Sequence, residues 1–395
     1  MDRIYLDQAA TSFPKAEGVA AAMTDYIEHI GVNINRGGYN QAYRAAGLVY
    51  DARESLCSLF DFDKPSHVIF TQSITYAMNM ILKGFLKEGD HVLVSSLEHN
   101  AVMRPLTQLQ EERGISFTRI PCNAYGEIDL DEIEPLIRSN TRAVIMTHAS
   151  NLTGVLHPIR EIGALAHKKG LRFIVDTAQT AGVFPISMKE MQIDALAFTG
   201  HKTLLGPQGI GGFLMTDEMA AQTKALISGG TGSISDTEQV PDFLPDKFEA
   251  GTLNLPGIAG LQAGLSYISK QGAKQIRERE RMLTNLFLTG ILDIENIRIV
   301  GRKHVYDHTE GYQEEQDYAP IVSVQCRNID ESELAYRLDT QYGIMTRVGM
   351  HCAPHAHKAL GTFPKGTLRF SFGFQNREED IRRAVFALRK ECGSK

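Results

Sequence analysis

Between about residues 67 and 215 the chain repeats one pattern, a short β-branched run followed by a stretch with apolar residues at helical spacing. The runs are HVIFT (67–71), HVLVS (91–95), FTRI (117–120), RAVIMT (142–147), RFIVD (172–176), DALAFT (194–199) and GFLM (212–215), with helical segments such as 158–169 between them. This alternation predicts βαβ units feeding a mostly parallel sheet. Ligands of such sheets bind beyond the carboxyl ends of the strands, so chemistry is expected in the residues just after each run.

A Gly/Ser/Thr/Asp/Pro-rich stretch, SGGTGSISDTEQVPDFLPD (228–246), breaks the alternation and reads as a long loop. Loops of this length without internal structure are usually functional or mobile. Helices are expected next at roughly 256–270 and 272–289, then strands near IRIV (297–300), IVSVQC (321–326), IMTRV (344–348) and TLRFSFG (367–373), with helices near 331–342 and 377–391. That is a smaller α+β domain. With 395 residues to place, two domains are the natural division. We expect an N-terminal segment 1–30 that packs with the small domain, a large ligand-binding domain 31–270 and a small C-terminal domain 271–395. No internal repeat or low-complexity tract is found.

Charge narrows the function classes. A net charge of −6, from 41 basic and 47 acidic residues spread along the chain, gives no footprint for nucleic acid or anionic lipid. No apolar run approaches the roughly 20 residues that span a bilayer. The start, MDRIYLDQAATSFPK, lacks the basic and apolar regions of a signal peptide, so a cytoplasmic location is expected. The 5 cysteines (Cys57, Cys122, Cys326, Cys352 and Cys392) include no CxxC pair, which argues against a disulfide framework and a thiolate zinc site. HCAPHAH (351–357) gathers histidines around Cys352, but in no common ligand spacing, and no metal is expected. Each cysteine is thus a candidate free thiol.

The strongest chemical signal is Asp176 at the end of one run, in RFIVDTAQTAG, with Lys202 just after a later one, in FTGHKTLLGPQGIGG. A carboxylate and a lysine converging from adjacent strand ends suit pyridoxal 5'-phosphate (PLP), whose ring nitrogen needs an acidic partner and whose aldehyde needs an amine. Taken singly, Asp176 could cap a turn and Lys202 could be a solvated loop lysine.

Together with YLDQAATSFP (5–14), FTQSITYAMN (70–79), SSLEHNA (95–101), HASNLTGV (148–155), FEAGTLN (248–254) and RVGMHCAP (347–354), these runs resemble the class V aminotransferase family of fold type I PLP enzymes. Within it they resemble the cysteine desulfurases and selenocysteine lyases. The resemblance covers nearly the whole chain. It implies an α/β fold, with a large domain built on a mostly parallel seven-stranded sheet and a smaller α+β C-terminal domain.

The resemblance also implies residue roles. Lys202 would be the Schiff-base lysine, Asp176 the partner of the ring nitrogen, Gln179 and Asn151 the partners of the phenolic oxygen, and His99 a catalytic imidazole stacked on the ring and able to relay protons. Ser73, Ile74 and Thr75, between a strand and a helix where free N–H groups can meet a phosphate, would hold the cofactor phosphate with Thr199 and His201. Ser73-Ile74 stands where desulfurases of this group usually have Gly-Thr. Gly251 and Thr252 match the segment that reaches a phosphate across a dimer interface, implying a homodimer with shared sites. Arg369, and more weakly Arg347, would bind the substrate carboxylate together with Asn151, a planar guanidinium fork giving two parallel charge-assisted bonds.

Cys352 decides the reaction. A cysteine acts as its thiolate, with a free pKa of about 8.5, so it needs a positive neighbourhood, which His351, His355, His357 and Arg347 could supply. The resemblance implies conversion of L-cysteine to L-alanine, with the sulfur held as a persulfide on Cys352 and passed to an acceptor protein for iron–sulfur cluster or thio-cofactor supply. Selenocysteine lysis, cysteine-sulfinate desulfination, another class V reaction, and a catalytically silent PLP-binding interaction protein are the alternatives.

Overall fold

The computed structural model describes residues 3–34, 37–234, 236–303, 305–307, 311–313 and 318–393, with side chains described outside 304–317. The chain opens with a two-residue strand β1 (Ile4–Tyr5), helix α1 (Val19–Asp25), which runs on as a π-helical turn over Tyr26–Ile30, and the long helix α2 (Asn40–Leu59). The alternating region follows: β2 (Val68–Thr71), α3 (Ile74–Phe85), β3 (His91–Ser95), α4 (Asn100–Arg113), β4 (Ser116–Ile120), β5 (Thr141–Thr147), α5 (Ile159–Lys168), β6 (Arg172–Asp176), β7 (Ala195–Thr199), β8 (Gly211–Met215) and α6 (Asp217–Gln222). His67, expected in the first strand, instead lies in a 3-10 turn over Pro65–His67.

The strands form one sheet of seven, ordered β2-β8-β7-β6-β5-β3-β4. All pair in parallel except β8, which runs antiparallel to both neighbours. Alternate residues serve opposite faces, as the period of a strand requires. Val144, Met146, Val175, Leu196 and Phe198 pack with apolar residues of α2, α5 and helix α7 (Leu255–Gln271). Ala143, Ile145, Ile174, Ala195 and Ala197 pack with those of α3, α4 and α6 on the other face. Burying each larger side chain of this set stabilises the fold by about 1.5–3 kcal/mol.

Strand order fixes where a ligand can sit. From β3 the chain moves outward to β4, then returns past β3 to β5 and proceeds the other way through β6 and β7. The loops after β3 and β5 therefore diverge, and the crevice they leave lies beyond the carboxyl ends of the strands.

Helix α8 (Ala273–Ile291) enters the second lobe. There β9 (Ile297–Val300) is followed by the short hairpin β10 (Val305–Asp307) and β11 (Gly311–Gln313), then by β12 (Ile321–Cys326), α9 (Glu331–Tyr342), β13 (Ile344–Met345), β14 (Arg347–Gly349), α10 (Pro354–Ala359), β15 (Thr367–Ser371) and α11 (Glu378–Cys392). The main sheet of this lobe is antiparallel, ordered β14-β15-β12-β9, and its core holds Leu283, Phe287, Val322, Leu338, Phe370 and Ile381. The run IMTRV, expected as one strand, is divided: Ile344–Met345 pairs with β1, whereas Arg347–Gly349 pairs with β15. The N-terminus touches both lobes, since β1 pairs with β13 while α1 packs against α7. Among the described residues of 228–246 there is no helix or strand. No helix among the described residues is long and apolar enough to cross a membrane.

Candidate active site

Asp176 ends β6 and is 3% exposed; its carboxylate accepts from the Ala178 N–H at 2.8 Å. Burial raises its pKa, opposed by that N–H and by the positive charge of Lys202. Lys202 follows β7 on a loop closed by the Gly206 N–H on the Gly200 carbonyl at 2.8 Å. Burial lowers the Lys202 ammonium to about 8, against the pull of Asp176 and with help from Arg369 and Arg347. Each group therefore perturbs the other across the same space, and burial brings Lys202 closer to its free-amine form at neutral pH.

His99 sits at the start of α4, where its Nδ1 accepts the Ala101 N–H at 3.0 Å. That bond leaves the ring proton on Nε2. Burial, with Lys202, Arg347 and Arg369 nearby, lowers its pKa to about 3, so the ring is neutral at physiological pH.

Helix α3 begins at Ile74 with no side-chain cap on its first N–H groups, so Ser73 does not act as an ordinary capping serine. Gly211 faces this helix entry: an added Cβ would stand 3.0 Å from the Ile74 nitrogen, so glycine keeps that space open. Four buried polar atoms point to groups not supplied by the described residues: Thr199 Oγ1, His201 Nδ1, Asn151 Oδ1 and Arg369 Nε. Unsatisfied buried polar atoms are costly, so each of these four is open to a polar ligand. The donor set, an uncapped helix N-terminus with a carboxylate and a lysine, suits a phosphorylated pyridine aldehyde. Gln179 donates through Nε2 to the Ala9 carbonyl at 3.1 Å. Thr75, Gly251 and Thr252 are exposed, the last two on the rim of a cavity of about 410 Å³ shared with α2 and the 228–246 loop. Lys202 lines a different, much smaller cavity of about 30 Å³, with Gln179, Glu280 and Ser371.

Arg369 lies on β15, 2% exposed. It departs from the expected open fork. Nη1 donates to the Asn151 carbonyl at 2.9 Å and Nη2 to Asp7 at 2.7 Å, leaving Nε as the donor without a partner among the described residues. Arg347 stands directly opposite on β14, so both guanidiniums project from one face of the ladder.

Cys352 is exposed, in a turn where His351 and Cys352 both have left-handed φ, 47° and 57°. The Asn151 amide donates to the His351 carbonyl at 2.7 Å, and the Asn100 N–H to the Cys352 carbonyl at 2.8 Å. The histidines do not supply the expected positive surroundings. Burial lowers His351 to about 2 and His357 to about 4, and it lowers His355 as well, so all three are neutral at pH 7. Arg369 and Arg347 act on the neighbouring His351, and Lys202 is in electrostatic reach of the Cys352 sulfur.

Three residues of the site escaped the sequence reading. Asp7, Glu98 and Asn100 all lie inside motifs that carried the resemblance, which was the available signal, yet none was given a role. Buried Glu98 accepts from Ser95 Oγ and from the Thr147 N–H at 2.7 Å, tying the end of β3 to the end of β5; burial, with Asp176 close by, pushes its pKa up to about 8.

The chain is similar along nearly its whole length to known proteins. The family model Aminotransferase class-V matches residues 4–384. A probable cysteine desulfurase of Methanothermobacter thermautotrophicus is 32% identical over 385 residues, 96% of this chain and 92% of the relative. A probable cysteine desulfurase of Pyrococcus abyssi is 31% identical, covering 96% and 91%. Among solved structures, the apo cysteine desulfurase of Thermococcus onnurineus has a TM-score of 0.90 at 29% identity, covering 99% of this chain and 94% of that one. A cysteine desulfurase from Escherichia coli has a TM-score of 0.86 at 28% identity, covering 98% and 94%.

Proposed function

The chain belongs to the class V aminotransferase family, and from that premise we propose that it is a PLP-dependent cysteine desulfurase that converts L-cysteine to L-alanine and takes the sulfur onto Cys352. One arrangement supports this above all: the buried Asp176–Lys202 pair shares its electrostatic field with an exposed thiol presented on a clamped turn. A lyase or transaminase of this family needs the pair; a sulfur acceptor needs the thiol.

Lys202, Asp176, Gln179, His99, Thr199, His201 and the Ser73–Thr75 helix entry would hold the cofactor, with Thr252 and Gly251 serving a second subunit. Bound there, PLP supplies an electron sink for the bonds at the substrate Cα. The Nζ of Lys202, its pKa lowered by burial, takes the Cα proton as a general base. Asp176 supplies negative charge at the far end of the site, and neutral His99 closes one wall with its Nε2–H available as a donor. Arg369 and Arg347 bind the substrate carboxylate and orient the Cα–H bond. Cys352, as thiolate, attacks the substrate sulfur, and the new S–S bond forms as the substrate Cβ–S bond breaks. The electron pair of that bond stays with the carbon skeleton, which is protonated and leaves as alanine. The persulfide left on Cys352 is passed to an acceptor protein for iron–sulfur cluster or thio-cofactor supply.

The test is to incubate PLP-loaded protein with L-cysteine, selenocysteine and cysteine sulfinate and measure alanine. Cysteine should give alanine with no 2-oxo acid present. The Cys352→Ala variant should keep the cofactor absorption band and lose sulfide release from cysteine. Unchanged release would reject Cys352 as nucleophile, and alanine only from one of the other two substrates would reassign the enzyme.

A further inference from the structure

We infer that Asp7 is a positioning residue for substrate carboxylate binding, acting through Arg369. This inference rests on the proposed reading of the site and names a residue that the reading did not include.

The observation is the way the Arg369 guanidinium is held. Its Nη1 donates to the Asn151 carbonyl at 2.9 Å and its Nη2 to Asp7 Oδ1 at 2.7 Å. Two acceptors on two different nitrogens fix both the position and the plane of the group. The one donor nitrogen left without a partner among the described residues is Nε, buried at the same face as Arg347. A guanidinium carries its donors in a rigid plane, so fixing two nitrogens aims the third.

Asp7 is itself fixed, and by backbone rather than by its carboxylate. It forms a bridge with Ser371, two residues beyond Arg369 on β15, while the Tyr5 hydroxyl donates to its carbonyl at 3.0 Å. Its side chain is therefore free to serve Arg369 without also holding the strand. The charge arithmetic is also favourable. Arg369, Arg347 and Asp7 sum to one positive charge, which one α-carboxylate neutralises. Nothing in the local sequence pairs residues 7 and 369; the β-bridge does.

The experiment compares wild type, Asp7→Asn and Asp7→Ala as PLP-loaded protein. Ligand binding is followed by titrating the cofactor absorbance with L-alanine, which has the carboxylate, and with ethylamine, which lacks it. KM and kcat for L-cysteine are measured in parallel. Asp7→Ala should weaken L-alanine binding and raise the cysteine KM by about tenfold or more, the scale of one charge-assisted hydrogen bond. Ethylamine binding and kcat should each change by less than about threefold, and Asp7→Asn, which keeps an oxygen acceptor, should recover part of the loss. Equal weakening of both ligands would mean general damage to the site and would overturn the inference. So would unchanged or tighter L-alanine binding, the latter showing that Asp7 competes with the carboxylate. If the wild type makes no alanine from cysteine, the proposed function fails while the two amine titrations still decide the role of Asp7.

Discussion

At Cys352 the backbone states most plainly what the site is built to do. Two consecutive residues other than glycine hold left-handed φ there, a conformation costing about 1–3 kcal/mol each that persists only where the surroundings impose it. Asn151, Asn100 and the contact of His351 Nε2 with Thr367 Oγ1 at 3.0 Å impose it. That the histidines around Cys352 are structural supports rather than cations could not be read from HCAPHAH, because the charge of a histidine depends on its burial. Burial also explains Glu280, whose Oε2 has no partner among the described residues and whose pKa is pushed up to about 8. In the unfolded chain this carboxyl ionises near pH 4.5, in the folded one near 8, so between those values the folded state keeps a proton that the unfolded state has released. Its contribution to stability is present below pH 4.5 and lost as the pH rises to 8. The Glu280→Gln variant should therefore gain on wild type from pH 5 to pH 8 by on the order of 2–4 kcal/mol, seen as diverging urea midpoints. A constant difference at both pH values would contradict this.

Among the elements, the strands of the large sheet were legible because both faces are buried, which leaves continuous apolar runs in the sequence. IMTRV was misread for a different reason. A β-branched run records that a segment is extended, not which partners it finds, and here β1 takes its first half and β15 its second. Helix α5 shows how packing overrides propensity. Replacing an exposed helical glycine by alanine usually stabilises by about 1 kcal/mol. At Gly163 an added Cβ would lie 2.0 Å from the Met191 carbonyl oxygen. Gly163→Ala should instead destabilise by about 1–3 kcal/mol, measured by chemical denaturation, and a raised midpoint would refute the close approach.

For the whole molecule, exposed Tyr50 of α2 lines the cavity that Gly251 and Thr252 share, and Tyr39 and Tyr43 on and beside α2 and Ile234, Val240 and Phe243 of the 228–246 loop are exposed as well. Surface of this kind next to residues assigned to a second subunit is expected to be covered by that subunit. Sedimentation equilibrium at micromolar concentration should give the mass of two chains. Thr252→Ala should weaken cofactor retention on dialysis by about tenfold while leaving that mass unchanged. A monomer that binds PLP fully would remove the shared site.

By itself the sequence determined the alternation of strands and helices, the sheet-end positions of Asp176 and Lys202, and the motifs that place the chain in its family, because periodicity and short motifs are local properties. Only the tertiary structure decided which groups are charged, how Arg369 is aimed and what holds Cys352. Those depend on burial and on contacts such as Asp7 with Arg369, between residues 362 positions apart, which no local pattern records.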